Sequence, residues 1–341
     1  YAKAQNNLGL AYAKGQGVKQ DFNKAVYWYT KSADQGNAFA QYNLGTLYYF
    51  GQGVKQDFDT AIKWYTKSAE QGYAYAQFNL GTLYYFGQGV KQDFNKAIEL
   101  FTKSADQGNA NAQFALGNAY EQGQGVKQDF NKVIKWYTKS ADQGNAVAQF
   151  ALGNVYETGD GVEKDFNKAI KWYTKSAKQG NAKAQNNLGV IYAKGEEGVE
   201  QDYKQAVYWW GKSAEQGNAS AQYNLGVLYA KGQGVEQDYK QAVYWYTKSA
   251  QQGDAIAQYN LGLAYAKGQG VKQDFNKAIK WYTKSAEQGY AGAQFNLGVL
   301  YAKGQGVKQN YKIAIELFTK SAEQGYAKAQ SVLGIIARDS L

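Results

Sequence analysis

Apolar residues along the chain fall into short helical stripes separated by glycine-bounded breaks. Residues 4–14, AQNNLGLAYAK, place Ala4, Leu8, Ala11 and Tyr12 on one helical face, and Gly15 follows as a left-handed stop. Residues 22–35, FNKAVYWYTKSADQ, place Phe22, Ala25, Val26, Tyr29 and Ala33 on one face. Asp21 stands before them as an N-cap and Gly36 after them as a stop. The pattern predicts two helices, A and B, and it then repeats. The pair Ala-Gln recurs at 4, 40, 76, 112, 148, 184, 221, 257, 293 and 329. The spacing is 36 residues, broken once by a 37 where GEEGVEQDY at 195–203 carries an extra residue. The chain therefore reads as a single solenoid domain over 1–341. It holds nine units starting near those first nine positions and the first helix of a tenth at 329–341. Two short helices cannot bury their apolar faces alone, so each pair must stack on the next, which makes the fold class all-α. Gly9, with its equivalents at 45, 81, 117, 153, 189, 226, 262, 298 and 334, lies inside helix A. Glycine disfavours a helix interior by about 1 kcal/mol against alanine, so its recurrence predicts a close approach that a side chain would block.

The link between the helices, GQGVKQDF at 15–22, returns verbatim from Gly51, Gly87, Gly123 and Gly268. A glycine-rich loop can cradle phosphate, but a P-loop needs a preceding strand and a Gly-Lys-Ser/Thr ending, and neither is present. The loop instead predicts glycines at positive φ, Val18 tucked into the core and Asp21 capping helix B. Asn310 replaces the aspartate in the ninth unit, which keeps the cap and drops the charge.

The string AQYNLGTLYYFGQGVKQDFDTAIKWYTKSAEQG at 40–72 resembles the Sel-one-like repeat, a relative of the tetratricopeptide repeat. The matching elements are Leu44-Gly45, Tyr48, the Gly51-x-Gly53-Val54 loop, the capping Asp57, the Trp64-Tyr65 segment and the closing Gln71-Gly72. The likeness covers essentially the whole chain. It implies a right-handed superhelix of antiparallel helix pairs with helix A lining a concave groove, and a non-catalytic scaffold or adaptor that binds a protein or extended peptide there. Resembling bacterial proteins are often periplasmic or secreted and act in envelope complexes, in host interaction or as immunity proteins against a toxin, which favours those compartments over the cytoplasm. The chain departs from the family pattern in three ways. Lys19, Glu163 and Glu236 stand where family repeats often have Pro, Ser32-Ala33 replaces Ala-Ala, and the disulfides of some members are impossible here.

Composition narrows the chemistry. The 341 residues are 44% hydrophobic and 16% aromatic, ample for a core. No apolar run approaches the roughly 20 residues that cross a bilayer, and the opening lacks the basic and apolar regions of a signal peptide. The opening YAKAQ matches residues 326–330, where Gly325 precedes it, so the native chain is expected to continue upstream. His, Cys, Pro and Met are absent, which removes disulfides, thiolate chemistry, the commonest general base and the commonest metal ligand. Nearly all serines are the helix-B serine of the repeat (Ser32, Ser68, Ser104 and onward), and Glu196 and Glu197 are adjacent rather than facing across a cleft. The expectation is no enzyme, no cofactor and no metal site. The formal charge is +10, yet of 38 basic residues only Arg338 is arginine. Phosphate and base recognition favour the arginine fork, so the charge reads as solubility and not as a nucleic-acid partner.

Packing demands the same residue in every unit, so function should lie where units differ. Tyr12, Trp28 and Tyr29 recur and read as core. Resemblance places groove positions at residues 3, 6, 7, 10, 13 and 14 of the first unit. At the first of these stand Lys3, Phe39, Tyr75, Asn111, Val147, Lys183, Ser220, Ile256, Gly292 and Lys328. At the last two, Tyr49-Phe50 and Tyr85-Phe86 give way to Glu121-Gln122 and Glu157-Thr158, then to Ala193-Lys194 and Ala230-Lys231. The expected groove is aromatic, then acidic, then basic, with Phe39, Tyr42, Tyr49, Phe50, Tyr75, Phe78, Tyr85 and Phe86 as binding anchors. Asn7, Asn43, Asn79, Asn187, Asn224, Asn260 and Asn296 form a column that lapses at Ala115 and Ala151, where Asn118 and Asn154 appear one turn on. An amide matches a peptide unit and could grip an extended backbone, or it could bond a neighbouring repeat. Two other functions stay open: end-to-end self-association through the open repeat ends, where Leu333, Ile336 and Ala337 form an apolar stripe, and carbohydrate binding through tyrosines.

Overall fold

The structure, a computed structural model, describes residues 1–339. The chain divides into two compact units, Tyr1–Asp165 and a second beginning at Phe166. The first unit holds α1 (Ala2–Lys14), α2 (Phe22–Asp34), α3 (Ala38–Phe50), α4 (Phe58–Glu70), α5 (Ala74–Phe86), α6 (Phe94–Asp106), α7 (Ala110–Gln122), α8 (Phe130–Asp142) and α9 (Ala146–Thr158). The second holds α10 (Phe166–Lys178), α11 (Ala182–Lys194), α12 (Tyr203–Glu215), α13 (Ala219–Lys231) and α14 (Tyr239–Gln251). It continues with α15 (Ala255–Lys267), α16 (Phe275–Glu287), α17 (Ala291–Lys303), α18 (Tyr311–Glu323) and α19 (Ala327–Asp339). Among the described residues the only strand-like pairing is a bridge between Glu196 and Val199, in the loop that carries the extra residue.

Within each unit successive helices pack against one another, odd-numbered A helices alternating with even-numbered B helices. The ends of each helix explain its length. Asp21 accepts from the Lys24 N–H at 3.0 Å, and Asn310 accepts from the Ile313 N–H at 3.1 Å, so aspartate and asparagine do the same capping. Helix A begins two residues earlier than its apolar stripe suggests. Its cap is the Asn of the preceding Gln-Gly-Asn: Asn37 accepts from the Ala40 N–H at 2.9 Å.

The interior is a ladder of small and aromatic side chains. Ala40, Leu44 and Leu47 of α3 are buried with Ala25, Tyr29 and Ala33 of α2 and Trp64 of α4. The helix-A glycine makes this possible, because a Cβ on Gly45 would lie 2.9 Å from the Tyr65 ring. The buried polar residues are spent on the same packing. Ser68 donates to the Ala38 carbonyl at 2.7 Å, and Ser321 donates to Ala291 at 2.8 Å. Gln77 donates to the Ala69 carbonyl at 3.2 Å while Gln107 donates to Gln77 at 2.8 Å. The Ala-Gln pair that marks the period is thus a buried clamp between repeats, since Gln77 sits in one repeat and Ala69 in the one before.

The loop glycines do adopt positive φ, +67° at Gly15 and +72° at Gly17. Val18 departs from expectation. It is 36% exposed, whereas Val90 and Val271 pack at the edge of the core.

Candidate functional site

The A helices carry the residues that differ from repeat to repeat. On α3 and α5 of the first unit, Phe39, Phe50, Tyr75 and Phe86 are 56%, 61%, 53% and 64% exposed, while Tyr42, Tyr49, Phe78 and Tyr85 are half-buried. They form two groups at opposite ends of the helices. At the N-terminal ends, Phe39 and Tyr42 lie 4.8 and 5.2 Å, centroid to centroid, from Tyr73, and Tyr75 lies 5.6 Å from it. At the C-terminal ends, Tyr49 contacts Phe50 at 4.8 Å and Tyr85 contacts Phe86 at 5.1 Å, both edge-on. The Tyr49 hydroxyl donates to Gln88 at 3.1 Å, in the next repeat's loop, and that of Tyr85 donates to Gln124.

Tyr73 was not anticipated from the sequence. It occupies the cap position of α5, where Asn109 and Asn145 of α7 and α9 each make a side-chain cap bond, and it makes none. The signal was a change from Gln-Gly-Asn-Ala to Gln-Gly-Tyr-Ala at 71–74. Burial pushes its phenol above the usual tyrosine range, reinforced by Tyr42 and Tyr75.

Between α3 and α5, over Tyr65 of α4, lies a cavity of about 130 Å³ lined by Tyr49, Phe50, Tyr65, Phe78, Asn79, Thr82 and Leu83. Four of those residues belong to the expected aromatic and asparagine set. The cavity floor is polar: Asn79 Nδ2 donates to the Tyr65 hydroxyl at 3.3 Å, and that hydroxyl lies 3.1 Å from Thr46 Oγ1. Burial raises the Tyr65 phenol to about 12, with the Thr46 and Asn79 hydrogen bonds opposing it.

Two others of the asparagine column are placed alike. Asn187 donates to Tyr173 at 3.2 Å and Asn296 to Tyr282 at 3.2 Å, each reaching a helix-B tyrosine of the preceding repeat. Asn43 instead donates to Asn6 at 3.2 Å. Asn224 and Asn260 are half-buried, and Asn7, in the first repeat, is exposed. Where the column lapses at Ala151, the Tyr137 hydroxyl donates to Asn118 at 2.5 Å and to Glu121 Oε2 at 2.9 Å. Burial, followed by the Glu121 charge, pushes the Tyr137 phenol far above its ordinary value.

The second unit supplies an internal comparison. Tyr259, Tyr282, Tyr290, Phe295 and Asn296 of α15–α17 repeat the interior of Tyr42, Tyr65, Tyr73, Phe78 and Asn79, and the Tyr259 and Tyr290 rings meet at 5.0 Å, tilted by 51°. The outward positions do not repeat. Ile256, Ala266-Lys267, Gly292 and Ala302-Lys303 stand where α3 and α5 have Phe39, Tyr49-Phe50, Tyr75 and Tyr85-Phe86. The fold therefore tolerates the loss of the outer aromatics around the same inner set.

The repeat serines are fully buried, and among the described residues no cluster of carboxylates is placed to hold a metal ion. No described helix is long and apolar enough to cross a membrane. Stacked helix pairs with an invariant interior and a variable helix-A surface define an all-α solenoid repeat protein. The chain belongs to the Sel1 repeat family, whose model matches residues 2–37, 38–73, 74–109, 110–145, 146–181, 182–218, 219–254, 255–290 and 291–326. Sel1 repeats mediate protein interactions, and the family is generally non-enzymatic. The chain is similar, at 39% identity and a TM-score of 0.84, to a protective antigen present in uropathogenic Escherichia coli strains, covering 100% of this chain and 73% of that one. It is also similar to a Sel1 repeat protein from Oxalobacter formigenes, at 36% identity and a TM-score of 0.66, covering 91% and 89%. A putative sel1-like repeat-containing protein of Acanthamoeba polyphaga mimivirus is 54% identical over 37 residues, which are 11% of this chain and 7% of the mimivirus protein.

Proposed function

We propose that the protein is a non-catalytic scaffold that binds a protein or extended peptide on its helix-A surface, with the aromatic residues of α3 and α5 as anchors. The observation that carries this reading is the internal comparison. Repeats with the same interior differ at Phe39, Tyr49, Phe50, Tyr75, Tyr85 and Phe86, so these large exposed side chains answer to something other than packing. Aromatic side chains supply large contact area at small entropic cost, which suits them as anchors. The asparagine column has a narrower part in this binding than an unengaged amide would have. With Nδ2 of Asn79 donating to Tyr65, the Asn79 amide oxygen is what remains to accept a partner's backbone N–H. That the Escherichia coli relative is a protective antigen supports placing the interaction at a surface met by a host.

The test is replacement of Tyr49, Phe50, Tyr85 and Phe86 by Ala together, followed by affinity capture from the source organism. Loss of a partner that the parent protein captures, with the helical spectrum unchanged, is expected. Equal recovery would remove the aromatic surface from the function.

A second reading is end-to-end self-association through α19. Ile335 there is 51% exposed beside half-buried Leu333 and Ile336. Light scattering across a hundredfold concentration range checks it, a mass that rises with concentration being expected and a constant monomer mass counting against it.

A further inference from the structure

The chemistry of the bound segment follows from three features of the first unit, granted the helix-A binding reading above. The first is the cavity between α3 and α5. At about 130 Å³, with Phe50, Phe78 and Leu83 among its walls, it is slightly smaller than apolar cavities of about 150 Å³ that admit benzene, so it suits one aliphatic side chain and excludes tryptophan. The second is the Asn79 amide on the cavity wall, whose Nδ2 is held by the Tyr65 hydroxyl, so that its oxygen is oriented to accept a hydrogen bond. An extended chain that inserts a side chain beside Asn79 brings a backbone N–H to that oxygen.

The third feature is charge. The protein carries +10 overall, yet α3 and α5 hold no charged residue and α7 and α9 hold only Glu121 and Glu157. Lysines stand on the A helices elsewhere, at Lys3 and Lys14 of α1 and at Lys194, Lys231, Lys267 and Lys303 of the second unit. In the first unit the surface thus changes from aromatic to acidic along successive A helices. The Tyr137 hydroxyl, donating to Glu121 Oε2 at 2.9 Å, fixes the rotamer of the first carboxylate and leaves Oε1 for a partner's cation.

We propose that this surface takes an extended peptide in which an aliphatic residue fills the α3–α5 cavity and a lysine or arginine, several residues along, pairs with Glu121. Glu121 lies one to two helix-A steps from the cavity. Helices pack at about 10 Å and an extended chain advances about 3.3 Å per residue, so the cation follows the aliphatic residue by roughly three to six positions. An acidic segment would set its charge against Glu121 and Glu157, and an uncharged one would form no ion pair with Glu121.

The experiment is selection of a displayed library of random twelve-residue peptides on the full chain, with fluorescein-labelled copies of the enriched peptides then titrated by anisotropy. Two variants accompany it. Tyr49→Ala with Phe50→Lys installs the residues that α15 carries at Ala266-Lys267, so the fold accommodates them. Glu121→Gln removes one charge and keeps a hydrogen-bond acceptor for Tyr137. The expected peptides pair Leu, Ile, Val or Met with Lys or Arg three to six residues away. Their binding falls at least tenfold in the Tyr49/Phe50 variant and about three- to tenfold in Glu121→Gln. The same peptide with its cation changed to Gln binds parent and Glu121→Gln alike. Acidic or uncharged peptides that lose binding in the Tyr49/Phe50 variant but ignore Glu121→Gln would overturn the proposed chemistry and leave helix-A binding standing. Peptides that bind the Tyr49/Phe50 variant as well as the parent, or no enrichment over a blank surface, would overturn both.

Discussion

Asn296 and Tyr282 are 14 positions apart in sequence, on α17 and α16, and meet at 3.2 Å across a repeat boundary. The pairing accounts for Asn79, Asn187 and Asn296 of the asparagine column. Tyr65 precedes Asn79 and Tyr173 precedes Asn187, whereas Phe101, which has no hydroxyl, precedes Ala115, and Phe318 precedes Val332. At Ala151 the amide is missing although Tyr137 has a hydroxyl, and there Asn118 and Glu121 of its own repeat take over. The lapses at Ala115 and Ala151 and the shifted Asn118 and Asn154 were legible as a pattern. The partner was not, because helical spacing within one element says nothing about which residue of the preceding element lies opposite. A buried hydrogen bond contributes about 1 kcal/mol, and removing one partner strands the other. Tyr282→Phe and Asn296→Ala should each lower unfolding free energy by about 1 kcal/mol, with a coupling of about 0.5–1.5 kcal/mol in the double mutant. Urea denaturation of the four proteins measures it, and strict additivity would mean that the amide is not engaged by the tyrosine.

At the scale of the element, helix positions were readable because the apolar stripe and the Asp21-type cap are local signals. Two details escaped that reading. The start of helix A is set by Asn37 and its equivalents, which precede the stripe, and Tyr73 gives up that cap for contacts with Phe39, Tyr42 and Tyr75. The loop glycines also differ in what they do. Gly53 has φ +70°, and a Cβ there would lie 2.5 Å from the Phe22 carbonyl of the preceding repeat, so loop and helix start interlock. Gly72 has φ +88° with open space around it. A side chain at Gly72 meets only backbone strain, on the order of 1 kcal/mol, whereas one at Gly53 adds a collision with backbone that cannot swing aside. Gly53→Ala should therefore destabilise by at least about 1 kcal/mol more than Gly72→Ala, read from their thermal or urea transitions. Equal losses would show that the loop does not brace the preceding repeat.

For the molecule as a whole, the 36-residue period made the fold class legible, since an interior repeated that often leaves few alternatives to stacking. The same repetition multiplies one electrostatic feature. With no His and no Cys, no side chain of those types titrates between the carboxylates and the tyrosines. Each unit instead buries helix-B tyrosines: burial raises Tyr29 and Tyr65 to about 12 in the first unit and pushes Tyr246 and Tyr282 still higher in the second. A phenol whose folded pKa exceeds its unfolded value of about 10 stabilises the fold fully below that value and loses the contribution as pH rises through the folded one. Stability should accordingly be nearly flat from about pH 6 to 9 and fall steeply above about 10, with several tyrosines acting in the same direction. Urea midpoints across that range give the curve, and tyrosinate absorbance gives its cause. The buried phenols of Tyr29, Tyr65, Tyr246 and Tyr282 should ionise only as the helical spectrum collapses. Tyr282→Phe should soften the alkaline fall while lowering stability at neutral pH through the stranded Asn296. A midpoint that stays level to pH 12, or ionisation of every tyrosine in one step before any loss of helix, would contradict this account.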